Sequence, residues 1–127
     1  MHEPKVPPEA FVNSNMFIAN HRKTVLKPGS AFLYSWFYTQ VKNRGPWDYK
    51  QISREYEAFG NYNYGATGTA AGIPRMILLR AAGAAQSLAG TSREDLGEWW
   101  GSAPYGDDYQ DQYWIEQGIA HAKWHGY

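Results

Sequence analysis

A glycine-rich stretch over 57–68, with the sequence EAFGNYNYGATG, constrains the fold of this chain most strongly. It starts with Glu57, continues as alternating asparagine and tyrosine, and carries glycines at positions 60, 65 and 68. Glycine adopts backbone conformations that other residues avoid and lets a ligand approach the main chain closely. We predict that Gly60 ends a helix and that 61–68 forms a short strand or hairpin. A tight turn with packed tyrosines is the alternative interpretation.

The composition allows one compact domain and excludes several kinds of site. With 127 residues, the chain is long enough for its own hydrophobic core, so we predict a single domain over 1–127 with an extended lead-in at 1–12. The chain has no cysteine, which rules out disulfides, thiolate zinc sites and cysteine nucleophiles. Aromatic residues make up 17% of the chain, so we expect some of them to line a groove or an interface.

The charge balance argues against a nucleic-acid enzyme. Twelve basic and twelve acidic residues cancel, whereas proteins that bind phosphate backbones carry a basic stripe. No apolar run in the chain approaches the ~18 residues of a membrane span, and the N-terminus lacks the pattern of a signal peptide. We therefore expect no membrane span. If the protein acts outside its producing cell, we expect a secretion apparatus or a larger carrier protein to deliver it.

Apolar spacing and capping residues predict a mainly α fold of the α+β type. The predicted helices are 15–26, capped by Ser14; a second one, capped by Ser30 and closed by 43–45; 46–59; 76–88, opened by Pro74 and stopped by Gly90; and one capped by Asp107 or Asp108 that runs to about 125. A capping box at 91–94 predicts a further short helix. We predict that the alanine-rich helix after Pro74 is the central buried one. Together with the segment 61–68, these helices form a compact domain with a small β-hairpin or extended element. A helix that ends in Glu57 before a short β segment is also similar to the lysozyme superfamily arrangement.

Several segments together resemble the bacterial polymorphic toxin family called type 44. They are 45–51 (GPWDYKQ), 56–68, 78–83 (LLRAAG) with Gln86, and 104–108 (PYGDD) with Asp111 and Gln112. The resemblance implies the C-terminal toxin part of a secreted interbacterial protein, delivered by a type VI or contact-dependent system. It also implies an immunity protein that neutralises the toxin in its producer. Ribonuclease activity is often suggested for this family.

At the positions that match this family, we interpret carboxylates and amides as the site of a hydrolase that cleaves peptidoglycan glycan strands. Glycoside cleavage needs a carboxylic acid to protonate the leaving oxygen, and often a second carboxylate as base or nucleophile. We predict Glu57 as the acid, among aromatic neighbours, in a hydrolase that works in the periplasm of the target cell. The substrate-binding residues that we predict are Lys50, Asn61, Tyr62, Asn63, Tyr64, Gln86, Tyr105 and Asp111.

The second carboxylate has several candidates. Asp107 and Asp108, with Asp111, form the better group because the fold can bring them to Glu57. Asp48 is nine residues from Glu57, and on one straight helix the two side chains would point to opposite sides. Helix capping alone is the alternative explanation for Asp107 and Asp108.

Two other functions are compatible with the sequence. A ribonuclease acting in the target cytoplasm needs a base, an acid and a cation. The candidates for these roles are His21, Arg22, Lys23, Lys50, Glu57 and Arg80. Lys50 and Glu57 are seven residues apart, which places them on one face of a helix. A binding module without catalysis would also explain the aromatic content.

We predict neither a cofactor nor a metal site. His121 and His125 lie four residues apart, as helical metal ligands do. A pair of histidines is incomplete without a third ligand, and cationic side chains near a helix C-terminus are favourable in any case.

Overall fold

The structure is a computed structural model that describes residues 4–88 and 97–127. The described part contains five α-helices: α1 (Val12–Leu26), α2 (Ala31–Val41), α3 (Glu57–Ala70), α4 (Arg75–Leu88) and α5 (Tyr109–Trp124). Two short 3₁₀ turns, Tyr49–Gln51 and Arg54–Tyr56, lie between α2 and α3. No strand occurs in these two ranges, and the prediction of a mainly α fold is confirmed. None of the described helices is long and apolar enough to cross a membrane.

The central helix is α3. Nine of its 14 residues are buried, and it contacts α1, α4 and α5. The prediction placed α4 at the centre, but α4 lies at the periphery, where Ile77 is 44% exposed. The buried side chains between the helices include Met16 and Ala19 of α1, Leu33 and Phe37 of α2, Leu78 and Leu79 of α4, and Ile115, Ile119 and Ala122 of α5.

Two glycines allow α3 and α5 to pack backbone against backbone. A Cβ atom at Gly65 would stand 2.1 Å from the carbonyl oxygen of Ile115, and one at Gly118 would stand 1.9 Å from the carbonyl oxygen of Tyr62. Any larger residue would force the two helices apart. Gly65 of the central stretch and Gly118 of α5 therefore serve close helix packing.

This packing explains why the predicted hairpin is wrong. The segment 61–68 lies within α3, and Gly60 is an interior residue of that helix. Glycine and asparagine favour turns in isolation, but the contact with α5 stabilises the helix here. Glu57 consequently begins a helix, whereas the sequence pattern placed it at a helix end.

The predicted helix over 46–59 is also wrong, because the chain there forms the two 3₁₀ turns. The predicted caps of two helices are confirmed: the backbone N–H of Leu33 donates to the Ser30 hydroxyl over 3.1 Å, and Asp108 caps α5. α1 begins at Val12 with Phe11 as its N-cap residue, so Ser14 does not cap it. The capping box predicted at 91–94 lies outside the described residues.

Candidate functional site

The first turns of α3 and α5 bring acidic and amide side chains together. Glu57 and Asn61 lie one turn apart on the same side of α3, and Asn61 reaches across to Asp111 of α5. Gln86 of α4 approaches the same carboxylate, and Asp107 stands just before α5. We call Glu57, Asn61, Gln86, Asp107 and Asp111 the carboxylate–amide cluster.

Asp111 is the residue that links the three helices. Its Oδ1 accepts a hydrogen bond from Asn61 Nδ2 over 3.1 Å, and its Oδ2 accepts one from Gln86 Nε2 over 3.3 Å. Both oxygens of one carboxyl group therefore meet amide donors from different helices. Two such contacts hold the carboxyl group in one orientation.

The surroundings of Asp111 favour its protonated form. Its pKa is raised from 3.8 to about 7. Burial is the largest cause, and the negative charges of Asp107, Glu57 and Asp108 add to it, while the positive charge of Lys50 acts in the opposite direction. Burial and like charges both disfavour an ionised carboxylate. Asp111 is therefore a carboxyl group that can hold or release a proton near neutral pH, with a second carboxylate, Glu57, in its electrostatic range.

Asp107 is the most deeply buried acidic residue of the cluster, with 2% of its surface exposed. Its Oδ2 accepts a hydrogen bond from Gln112 Nε2 over 2.8 Å, and its Oδ1 accepts one from the Asp108 backbone N–H over 2.9 Å. Burial raises the pKa of Asp107, and these hydrogen bonds, with one from Gln86, partly offset that rise. Gln112 was not among the predicted site residues, although it lies among the positions that resemble the toxin family.

Asp108 caps α5. Its Oδ1 accepts hydrogen bonds from the backbone N–H groups of Gln110, over 2.8 Å, and Asp111, over 3.4 Å. This contact satisfies donors that the first turn of a helix leaves free. Of the two candidate carboxylates, Asp108 has the capping geometry, whereas Asp107 points to Gln112.

Lys50 brings a positive charge to the edge of the cluster. Its Nζ donates to Asp48 Oδ1 over 2.8 Å and to Asn43 Oδ1 over 2.9 Å. Asp48 is buried and also accepts the backbone N–H of Arg44 over 2.8 Å. Through these contacts, Asp48 holds the loop between α2 and the first 3₁₀ turn and positions Lys50. The assumption that Asp48, Lys50 and Glu57 share one helix is wrong, because the turns between them break it.

Three predicted substrate-binding residues of α3 pack in the interior. The Tyr62 hydroxyl lies 2.8 Å from His121 Nδ1, and Asn63 Oδ1 accepts from Asn15 Nδ2 over 2.9 Å. The Tyr64 hydroxyl donates to the carbonyl oxygen of Leu78 over 2.7 Å. Burial, and secondarily the charge of Asp107, raise the pKa of Tyr64. In this conformation, Asn61 is the residue of the predicted Asn–Tyr stretch whose side chain joins the cluster.

Tyr105 is also buried, away from the contacts of Asp111. The Arg80 guanidinium lies 4.7 Å from the centre of its ring, and Arg80 Nη1 donates to the carbonyl oxygens of Trp99 and Gly101, each over 2.9 Å. Arg80 therefore anchors the loop before α5 and is not in contact with the cluster. Tyr105 borders a cavity of about 210 Å³ that Arg75, Gln112 and Glu116 also line.

The histidines of the described chain lie elsewhere. His121 Nε2 lies 2.7 Å from Asn13 Oδ1, so both of its ring nitrogens have hydrogen-bonding partners. His21 is on the solvent side of α1. Within 4–88 and 97–127, no three histidine or acidic side chains are grouped as metal ligands would be.

Comparison with known proteins assigns the family. A family model described as bacterial toxin 44 matches residues 53–123, which is more than half of the 127 residues. The matched range holds α3, α4 and all of α5 but its last residue, and therefore the whole carboxylate–amide cluster. No curated protein and no solved structure matches the chain. The match confirms the resemblance seen in the sequence: this chain belongs to the bacterial toxin 44 family.

Proposed function

We propose that this toxin domain is a hydrolase that cleaves the glycan strands of peptidoglycan by carboxylate acid–base chemistry. The observation that supports this most is the environment of Asp111. Its carboxyl group is held by two amides, has a pKa raised to about 7 and lies in the electrostatic range of Glu57. Enzymes that cleave glycosides need one carboxyl group kept protonated near neutral pH and a second one ionised.

The structure favours a changed distribution of roles. From the sequence, Glu57 was the predicted acid and Asp111 a substrate-binding residue. The raised pKa of Asp111 makes it the better proton donor for the leaving oxygen. Glu57 then serves as the second carboxylate, either as a base toward water or as a nucleophile. Asn61 and Gln86 position Asp111, and Asp107 contributes negative charge that keeps Asp111 protonated.

Family membership gives the chain the role of a bacterial toxin domain, which implies delivery into a target cell and an immunity protein as partner. Delivery by a type VI or contact-dependent system through a larger carrier protein, and action in the periplasm, belong to the proposal. Peptidoglycan lies in the periplasm, so a glycan hydrolase has to act there.

Digestion of isolated peptidoglycan tests the proposed reaction. The purified wild type should release new reducing ends, and mass spectrometry should assign them to broken glycosidic bonds. Asp111→Asn and Glu57→Gln should each lose the activity, because an amide of the same shape neither donates a proton as an acid nor acts as a base. Asp108→Asn is the matched control, since Asn caps a helix about as well as Asp. Wild-type protein that releases no reducing ends at any pH would exclude the glycan substrate.

The pH profile gives an independent test of the role of Asp111. A general acid has to be protonated, so activity should fall as the pH rises through about 7, the pKa of Asp111. Asn61→Ala removes one amide contact and should shift this limb of the profile. A profile that is unchanged in Asn61→Ala would place the titrating acid elsewhere.

Lys50 is the observation that favours a ribonuclease as the second candidate. An ammonium group near two carboxylates can stabilise the charge that develops on a phosphate in RNA cleavage. Of the other predicted candidates, Arg80 is engaged by the loop before α5, and His21, Arg22 and Lys23 lie on α1. Incubation with RNA under the same conditions distinguishes the two reactions, and loss of RNA cleavage in Lys50→Met would support the second.

A further inference from the structure

The helices α1 and α2 expose apolar side chains on their solvent side. On α1, Phe17 is 69% exposed, Ile18 44% and Val25 56%, and these residues lie opposite the buried Met16 and Ala19. On α2, Phe32 is 76% exposed and Tyr38 is 65% exposed. We call Phe17, Ile18, Val25, Phe32 and Tyr38 the hairpin face. Both helices therefore carry apolar residues on two sides, a pattern that belongs to helices buried on two sides.

The two helices are neighbours in the fold. A turn of four residues, 27–30, connects them, and the two helices contact each other. The Arg22 guanidinium of α1 lies 5.4 Å from the centre of a Trp36 ring of α2. The exposed apolar residues therefore lie on two consecutive helices that are in contact with each other.

The charged residues of the segment that contains α1 and α2 have a single sign. Between Glu9 and Asp48 the chain contains no acidic residue. The same segment carries five basic residues besides His21: Arg22, Lys23, Lys27, Lys42 and Arg44. All of them except Lys23 are exposed. The chain is neutral in total, but the segment between Glu9 and Asp48 is basic and the remainder of the chain is acidic.

We propose that the hairpin face binds an anionic phospholipid surface. Exposed apolar side chains, with exposed basic residues in the same segment of the chain, suit insertion at a lipid interface and attraction to anionic headgroups. A protein partner would need a complementary shape, and protein interfaces are commonly fixed by charges of both signs. The segment that forms α1 and α2 carries basic charges and no acidic ones. This membrane contact does not depend on the reaction proposed above.

Co-sedimentation with vesicles tests the proposal. The full chain should bind vesicles of phosphatidylglycerol and phosphatidylethanolamine, and bind vesicles of phosphatidylcholine much more weakly. Phe17→Ser combined with Phe32→Ser should weaken the binding about tenfold or more, because each phenylalanine loses its transfer into the interface. Lys27→Glu combined with Arg44→Glu should weaken it as well, and added salt should reduce the binding of the wild type.

Matched control variants distinguish binding through the hairpin face from nonspecific hydrophobic binding to vesicles. Ile52 and Ile77 are exposed apolar residues outside the hairpin, so Ile52→Ser and Ile77→Ser should bind like the wild type. Circular dichroism should show that all variants are folded, as expected for exposed positions. A wild type that stays in the supernatant with phosphatidylglycerol vesicles overturns the proposal, and so does equal binding by the Phe17→Ser, Phe32→Ser variant. A dimer that this variant dissociates, without vesicle binding, would assign the face to a second copy.

Discussion

Asn61 Nδ2 of α3 donates a hydrogen bond to Asp111 Oδ1 of α5 over 3.1 Å. Glu57 stands one turn before Asn61, so this contact holds Asp111 beside the first turn of α3, within the electrostatic range of Glu57. The close approach of α3 and α5 at Gly65 and Gly118 makes the contact possible. The packing of the two helices and the geometry of the candidate site therefore have the same origin.

Toxicity should depend on the two carboxyl groups. Expression of the wild type in a susceptible bacterium should arrest growth, and Glu57→Gln and Asp111→Asn should each restore growth with normal protein levels. Both substitutions keep the shape of the side chain and remove its acid–base function. Growth curves and immunoblots measure this. A folded Glu57→Gln variant with full toxicity would remove Glu57 from the site.

The compartment in which the domain kills should distinguish the two candidate reactions. Export with an added signal peptide should cause rounding and lysis if the domain cleaves glycan strands, whereas cytoplasmic expression should be tolerated. A ribonuclease should act from the cytoplasm and degrade RNA before the cells change shape. Microscopy and RNA gels from the same cultures provide the measurement, with Asp111→Asn as the inactive control in each compartment.

The capping role of Asp108 predicts a specific stability pattern. Asp108→Ala should lower the free energy of unfolding by about 1 kcal/mol, because the donors of the first turn of α5 lose their acceptor. Asp108→Asn should leave stability and activity close to those of the wild type. Urea unfolding measures the difference. A large loss of activity in Asp108→Asn with unchanged stability would instead place Asp108 among the reacting groups.

Stability should fall as the pH rises across the titration of Asp111. Its pKa is raised from 3.8 to about 7, so the folded protein binds this proton more tightly than the unfolded chain does. The free energy of unfolding therefore decreases between these two pH values and levels off above the higher one. The raised pKa of Asp107 acts in the same direction.

Asp111→Asn should remove most of this pH dependence, since the amide does not titrate. The charges that face Asp111 are Asp107, Glu57, Asp108 and Lys50, and all of them stay in this variant. Denaturant unfolding over a pH series gives the measurement. If the free energy of unfolding of the wild type had the same pH dependence as that of Asp111→Asn, this result would contradict the raised pKa.

Two glycines of α3 should respond in opposite ways to alanine. Gly65→Ala should destabilise the fold by about 2 kcal/mol or more, because the added methyl group collides with the backbone of Ile115. At Gly60 the nearest atom to an added Cβ is 3.9 Å away, so Gly60→Ala should stabilise the helix by about 0.5–1 kcal/mol. Thermal unfolding of both variants measures this. A neutral Gly65→Ala would mean that α3 and α5 do not approach this closely.

Interactions between residues close together in the sequence were sufficient to predict part of this fold. The mainly helical character, the capping of α2 by Ser30 and of α5 by Asp108, and the start of α4 after Pro74 follow from apolar spacing and from residues that satisfy free backbone donors. The resemblance, most specific in 56–68, was sufficient to identify the family, which the match over 53–123 confirms. These features depend on residues a few positions apart in the chain, so the amino-acid sequence alone is enough to predict them.

Only the tertiary structure decided the role of the central glycines and of Asp111. In the sequence, Gly60 and Gly65 are turn signals, but contact with α5 makes 57–70 a helix. That helix turns Tyr62, Asn63 and Tyr64 toward the interior and leaves Asn61 facing Asp111. The pKa of Asp111 depends on burial and on charges up to 54 positions away in the chain, at Glu57. Interactions between residues this far apart exist only after helices pack, which is why sequence spacing did not identify them.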